Sequence, residues 1–382
     1  MSKKIKIVAD NKIPFLRGVL EPYAEIEYYP GGEISNDKIR DADALIIRTR
    51  TNCNAELLEH SNVKLITTAT IGFDHIEKEY CDRNEVKWIN APGCNSNSVM
   101  QYFTSAILNI AQSENINLAE KKIGIVGVGN VGRKIQKVSK ILGMSVLLND
   151  PPRERVEGHQ NFCDLENIIS DSDIISFHVP LNKEGIDKTL HLADEDFFNL
   201  LKKKPIIINS SRGEVVKTLA IKKALQGEQV SNVVLDVWEN EPEIDLELLE
   251  LVDFGTPHIA GYSADGKANG TSVCVNTINK FFNLGLSTNW YPENIPLAKN
   301  GNKIKIDCDN REDQEVISEV ISATYSIALD DETLRNSPET FEFQRGNYPI
   351  RREFQNYSMQ LNDCNSEVVN TLVKMGFKNG DS

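Results

Sequence analysis

The chain has 382 residues, 40% hydrophobic and 26% charged, the make-up of an ordinary globular protein longer than a single core supports. Its formal net charge of -14 argues against the basic face of a nucleic-acid binder, and no apolar run approaches the ~20 residues that cross a bilayer. Seven scattered cysteines, odd in number and without a C-x-x-C pair, point to reduced thiols, and the early-polar N-terminus is no signal peptide; a soluble cytoplasmic protein without a metal is expected.

In chain order, residues 5–9, 44–47 and 64–68 read as buried strands, separated by turn residues such as Pro30-Gly31-Gly32. That alternation is a parallel α/β pattern. Residues 98–111 read as one long helix. A second α/β block starts at 122–126 and continues through apolar runs at 146–148, 173–177, 205–209 and 232–236, with a helical segment at 219–226. Such runs predict a doubly wound sheet. Beyond Gly261 a helix is expected over 271–284, and Asn289-Trp290-Tyr291-Pro292 begins a linker. The tail holds one clear strand at 303–306 and helical stretches near 315–323 and 366–375, which suits a small α+β domain.

Within the second block, Gly127-Val128-Gly129-Asn130-Val131-Gly132 follows a strand and opens a helix. The first glycine allows a tight turn, the second a close approach of backbone N–H groups to a pyrophosphate, and the third the packing of helix on strand. Asp150 ends the next strand, where a carboxylate accepts hydrogen bonds from ribose hydroxyls and repels a 2′-phosphate, so NAD is the expected cofactor.

Three polar residues then follow the later strands. Arg212 lies in Ser210-Ser211-Arg212-Gly213, Glu241 in Trp238-Glu239-Asn240-Glu241-Pro242, and His258 in Thr256-Pro257-His258-Ile259. A guanidinium clamps a carboxylate in bidentate fashion, an imidazole moves a proton near neutral pH, and a carboxylate orients the imidazole. Together they match hydride transfer at a 2-hydroxy acid. Taken singly, Arg212 reads equally as a surface cation, His258 as a loop residue, and Glu241 as one more solvated acid beside Glu239, Glu243 and Asp245.

These motifs, with Asn209-Ser210-Ser211-Arg212-Gly213-Glu214 and Thr256-Pro257-His258-Ile259-Ala260-Gly261, resemble those of the D-isomer-specific 2-hydroxyacid dehydrogenases. Ala69-Thr70-Ile71-Gly72-Phe73-Asp74-His75, Ala91-Pro92-Gly93-Cys94-Asn95, Asp150-Pro151-Pro152, 188–193 and His258–Tyr262 resemble a branch of that family that acts on a phosphorylated 2-hydroxy acid. The resemblance implies an α/β fold of two doubly wound, Rossmann-like lobes with the active site in a cleft between them, plus a small C-terminal α+β dimerisation domain. The lobes would be residues 1–98, completed by 258–290, and 99–257; the last domain would be 291–382, making a homodimer. It further implies Arg212, Glu241 and His258 as catalytic. Substrate contacts would fall at Thr49, Thr70 and Tyr262. Cofactor contacts would fall at Gly127, Gly129, Asn130, Val131, Gly132, Asp150, Val179, Asp236 and Gly261. Position 49 is threonine where the branch usually has serine, and position 179 is valine where threonine is usual, leaving a backbone contact there. Arg48 or the Arg351-Arg352 pair are the cations offered for the substrate's phosphate. A family member acting on 3-phosphoglycerate, glycerate or lactate, and a non-catalytic NAD-sensing protein, are the competing readings.

Overall fold

The apolar runs near residues 7, 45 and 66 become adjacent central strands because each is hydrophobic on both faces and must be covered on both. The structure, a computed structural model, describes residues 4–380, and its contacts divide the chain into two compact units. The first comprises the segment up to Asn95 together with Ser263–Pro296. Among its described residues, β1 (Lys6–Asp10), β2 (Glu25–Tyr29), β3 (Ala44–Ile47), β4 (Leu65–Thr68) and β5 (Lys87–Ile89) form a wholly parallel sheet in the order β2-β1-β3-β4-β5. The central β3 and β4 are buried throughout, whereas the edges β2 and β5 stay partly exposed. Strand order reverses between β1 and β3, the crevice where parallel sheets carry ligands. There Asp10, fully buried, accepts from Arg48 Nε at 3.1 Å.

The helix expected from 271 begins earlier and spans Ala264–Phe282. Ser263 caps it, its Oγ accepting from the Gly266 N–H at 2.8 Å. Gly266 and Gly270 obscure this start in the sequence, since glycine weakens a helix interior. Both are there for close packing: a Cβ would lie 2.9 Å from Asn95 Cβ and 2.6 Å from the Ala69 carbonyl, respectively.

The second unit comprises Ser96–Tyr262 and the chain from Leu297 onward. Its main sheet contains β6 (Lys122–Val126), β7 (Ser145–Asn149), β8 (Ile174–Phe177), β9 (Ile206–Asn209), β10 (Asn232–Leu235) and β11 (Phe254–Gly255). They are parallel in the order β11-β10-β9-β8-β6-β7, reversing between β6 and β8. The long helix, Ser96–Ser113, is buried along nearly its whole length. A helix buried on all sides needs cover on all sides. It packs against the helix Asn130–Ile141 and against Asp313–Thr324 of the tail.

That packing changes how the tail is described. It is α+β as expected, with β12 (Lys303–Asp307), β13 (Ser358–Asn362) and β14 (Lys378–Asn379) parallel in the order β12-β13-β14. Contacts nevertheless gather it into the second unit rather than into a third one. Val316, Val320 and Ile321 share one core cluster with Phe103 and Ile107. Among the described residues, no helix is long and apolar enough to cross a membrane.

Candidate active site

At the end of β6 the chain turns at Gly127, whose φ of +88° favours glycine and where a Cβ would stand 2.7 Å from the His178 carbonyl. Gly132 is tighter still: a Cβ there would approach the Gly127 oxygen to 2.0 Å, so the helix Asn130–Ile141 starts flush against the turn. Gly129 is the open side, with nothing within 4 Å of a Cβ position. Asn130 and Val131 begin the helix here, and its first N–H groups supply the partial positive charge that favours a pyrophosphate.

Asp150 stands at the end of β7, as anticipated, and its carboxylate braces the turn. Its Oδ2 accepts the Val128 N–H at 2.8 Å and its Oδ1 that of Arg153 at 3.1 Å. Arg153 Nη1 in turn donates to the Val128 carbonyl at 2.6 Å. The Val179 Cγ1 lies 2.8 Å from the Cβ position of Gly127, so this side chain walls the turn. A glycine-only turn, an open row of amides and an acid on the neighbouring strand fit a dinucleotide.

His178, half-buried as a residue, is the base of this region. Its Nε2 pairs with Ser176 Oγ at 2.9 Å, and its Nδ1 is buried without a protein partner. Burial pushes the imidazole down to about 3 from an ordinary 6.5, so it is neutral in the folded protein. Below pH 6.5 the unfolded chain therefore binds a proton that the folded chain refuses. The stability tied to this residue is full above pH 6.5 and is lost as pH falls from 6.5 toward 3. His178→Leu is expected to flatten the decline of unfolding free energy by about 1.4 kcal/mol per pH unit in that window, read by urea melts at pH 7.5, 6 and 5. An unchanged slope would count against the buried neutral imidazole.

Arg212, Glu241 and His258 follow the carboxyl ends of β9, β10 and β11, three adjacent strands. Gly213 brings the first two loops into backbone contact, since a Cβ on it would lie 2.0 Å from the Trp238 carbonyl carbon and oxygen. A cavity of about 280 Å³ is lined by Arg212, Gly213, Glu214, Trp238, Asn240, Glu241 and His258. The predicted three are thus on one wall system.

The Glu241 carboxylate can only accept, so the 2.7 Å contact with His258 is an Nδ1–H donation to Oε2. That leaves the Nε2 lone pair for chemistry. The other oxygen of Glu241 accepts the Trp238 N–H at 2.9 Å. Burial raises the Glu241 carboxyl, but the His258 and Trp238 donors outweigh it and hold the group below the usual carboxylate range. Glu239, grouped with it in the sequence as a solvated acid, is engaged elsewhere: it accepts from the Thr218 N–H and pairs with His191 Nε2, both at 2.7 Å. Arg212 is fixed at its backbone by Asn209 Nδ2, which donates to its carbonyl at 2.9 Å.

His258 adopts φ +56°, a left-handed conformation that non-glycine residues enter only when held. Asp236 holds it. Its carbonyl accepts the His258 N–H at 2.8 Å, and its carboxylate takes the N–H groups of Ile259 at 2.7 Å and Ala260 at 2.9 Å. Thr256 Oγ1 adds a third donor at 2.7 Å, itself 2.9 Å from the Tyr102 hydroxyl. Burial pushes the Asp236 carboxyl up despite these donors. Expected from the sequence as a cofactor contact, Asp236 is 1% exposed and acts on the loop of His258, because both of its oxygens face inward to that loop.

The tail grips the same loop, which no motif announced. Asp331 Oδ1 accepts the Gly255 N–H at 2.7 Å, and Arg351 Nη2 donates to the Ile259 carbonyl at 3.1 Å and to that of Ala260. Arg345 Nε donates to the Tyr262 hydroxyl at 3.1 Å, with Tyr262 itself turned back by a 2.8 Å bond to the Ile259 carbonyl beside Gly261. Arg351 and Arg352, offered from the sequence as cations for the substrate's phosphate, are only 4% and 6% exposed. Arg351 lies on the Tyr325 ring, 4.5 Å from its centroid, and Arg352 donates to Asn356 Oδ1 at 2.8 Å. Thr49 and Thr70 belong to the first unit, each two residues beyond the end of adjacent strands β3 and β4; Thr49 is exposed, and Thr70 Oγ1 donates to the Gly72 carbonyl at 3.0 Å.

A family model described as the NAD-binding domain of D-isomer specific 2-hydroxyacid dehydrogenases matches residues 103–260. A second, described as a domain of unknown function (DUF3410), matches residues 299–376. The chain is 50% identical over 358 residues to the erythronate-4-phosphate dehydrogenase of Bacteroides thetaiotaomicron, covering 93% of this chain and 99% of that one. It is 37% identical to the enzyme of the same name from Escherichia coli O139:H28, with 98% of each covered. Among solved structures, D-lactate dehydrogenase from Aquifex aeolicus, complexed with NAD and lactic acid, matches with a TM-score of 0.62 at 24% identity, over 73% of this chain and 95% of that one. This last likeness is one of fold.

Proposed function

The chain belongs to the erythronate-4-phosphate dehydrogenase family of D-isomer specific 2-hydroxyacid dehydrogenases, and on that premise we propose that it oxidises 4-phospho-D-erythronate at C2 with NAD, in the formation of pyridoxal 5′-phosphate. The product is the 2-oxo acid, (R)-3-hydroxy-2-oxo-4-phosphooxybutanoate. NAD⁺, when bound, supplies the acceptor for the hydride that leaves C2.

The chain's own residues do the rest. His258 Nε2 takes the C2 hydroxyl proton, and Glu241 keeps the ring in the tautomer that exposes that lone pair and stabilises the imidazolium as it forms. Arg212 clamps the C1 carboxylate, which orients C2 and draws electron density along the acid. Gly127, Gly129, Asn130, Val131, Gly132, Asp150, Val179 and Gly261 hold the dinucleotide, and Asp236 supports that surface through the loop of His258. Thr49, Thr70 and Tyr262 complete the substrate contacts. The observation that carries this reading is the shared cavity of Arg212, Glu241 and His258 together with the 2.7 Å Nδ1–Oε2 bond. A homodimer built through the tail and a cytoplasmic location are part of the same proposal.

NADH formation by the purified protein from 4-phospho-D-erythronate, 3-phosphoglycerate, glycerate and lactate tests it. The phosphorylated erythronate should have the highest kcat/KM. Equal use of the unphosphorylated acids would sink the substrate assignment, and no turnover of any of them would favour the NAD-sensing alternative.

A further inference from the structure

A phosphate ester at the far end of the substrate needs a cation that is both sheltered and reachable, because a charge-assisted bond in full solvent contributes little. The cations that the sequence offers do not combine those properties. Arg351 and Arg352 are buried and hold carbonyl and amide oxygens. The Arg48 guanidinium is already neutralised by the buried Asp10 carboxylate at 3.1 Å.

Arg345, in the helix Phe341–Gly346 of the tail, is placed differently. Its side chain is 19% exposed, within reach of solutes yet largely shielded from water. Its Nε–H donates to the Tyr262 hydroxyl oxygen at 3.1 Å, and its guanidinium carbon stands 5.8 Å from the centre of the same ring. Against the effect of burial, the Arg345 charge adds the smallest share to the His258 and Trp238 donors that hold the Glu241 carboxyl below its ordinary range. The Glu342 carboxylate approaches it only to 3.7 Å and is 38% exposed, a loose rim pair of small consequence that an incoming dianion can outcompete. Because the Tyr262 oxygen accepts from Arg345, its own proton is directed away from the guanidinium. The arginine thereby sets the tyrosine as a donor.

We propose that Arg345 is a specificity residue, forming with Tyr262 the subsite that receives the ester phosphate of the substrate. The proposal rests on the phosphorylated-acid reading above and deepens it. It also gives the segment matched as a domain of unknown function, residues 299–376, a place in the substrate site as well as in the core.

The test uses the full-length protein loaded with NADH, so that binding is read without turnover. Calorimetry compares 4-phospho-D-erythronate, D-erythronate and inorganic phosphate on the wild type and on Arg345→Gln, Arg345→Lys and Arg48→Gln. Arg345→Gln should weaken the phosphorylated acid by roughly 10- to 100-fold relative to D-erythronate, the loss of one or two bonds to a charged group, with Arg345→Lys recovering part of it. Inorganic phosphate should lose affinity in the same variant. NADH affinity in each variant reports whether the unit remains folded, and the lysine variant keeps the charge should glutamine perturb the helix. Equal weakening of both acids would mark Arg345 as structural only and overturn the proposal. So would loss of phosphate discrimination at Arg48→Gln alone, or a wild type that does not prefer the phosphorylated ligand. Wild-type turnover, measured separately, reports on the function itself.

Discussion

Replacement of His258 by asparagine is expected to lower kcat by about 10²- to 10⁴-fold while leaving NAD⁺ affinity within a few-fold of wild type. Asparagine is the better probe than alanine because the position is left-handed, with φ +56°. Asparagine tolerates that region, whereas alanine would add backbone strain and confuse lost chemistry with lost structure. The loop itself should stay in place, since Asp236 holds Ile259 and Ala260 through their N–H groups rather than through the imidazole. Glu241→Gln is the companion variant. A glutamine can present its carbonyl to His258 Nδ1–H or to the Trp238 N–H, but it carries no charge to stabilise the imidazolium. It should therefore fall between wild type and His258→Asn. Stopped-flow reduction of NAD⁺ and equilibrium binding, taken together, decide the matter: a variant that loses cofactor binding in step with kcat would place His258 in the scaffold and not in the chemistry.

The legibility of this chain followed burial. The central strands β1, β3, β4 and β6, β8, β9, β10 are buried on both faces and read as continuous apolar runs. Three edge strands escaped: β2 reads Glu-Ile-Glu-Tyr-Tyr with no buried position, and β5 and β11 have only a few residues each. In the tail, β13 reads Ser-Met-Gln-Leu-Asn, too polar to announce itself beside β12. The site divides the same way. Arg212, Glu241 and His258 were legible as candidates because each sits in a short local motif after a legible strand. The contacts of Arg345 and Arg351 were not legible, because they are made with Tyr262, Ile259 and Ala260, far away in the chain. A long-range contact of one side chain leaves no periodicity to read.

Gly213→Ala is expected to cost about 1–3 kcal/mol of stability, as overpacking does, and to cut kcat/KM by about 10²-fold, as a misplacement of about 1 Å does. The reason is the nature of its neighbours. An added Cβ would meet the Trp238 carbonyl carbon and oxygen at 2.0 Å and the Glu239 nitrogen at 2.6 Å, all backbone atoms that no rotamer change can remove. The loops after β9 and β10 must then separate. Arg212 is the residue before Gly213, and the Trp238 N–H holds Glu241 Oε1 at 2.9 Å, so separation moves Arg212, the proposed carboxylate clamp, away from the Glu241–His258 pair. Gly129→Ala is the contrast within the same unit. With nothing within 4 Å of its Cβ position, it should leave urea unfolding nearly unchanged. Its methyl would instead stand on the open side of the glycine turn and weaken NAD⁺ binding. One glycine therefore serves the contact between two catalytic loops and the other the approach of the cofactor, and the two variants should fail in opposite assays. If Gly213→Ala unfolds and turns over as wild type does, the β9 and β10 loops do not meet at Trp238, and the shared cavity of Arg212, Glu241 and His258 loses its support.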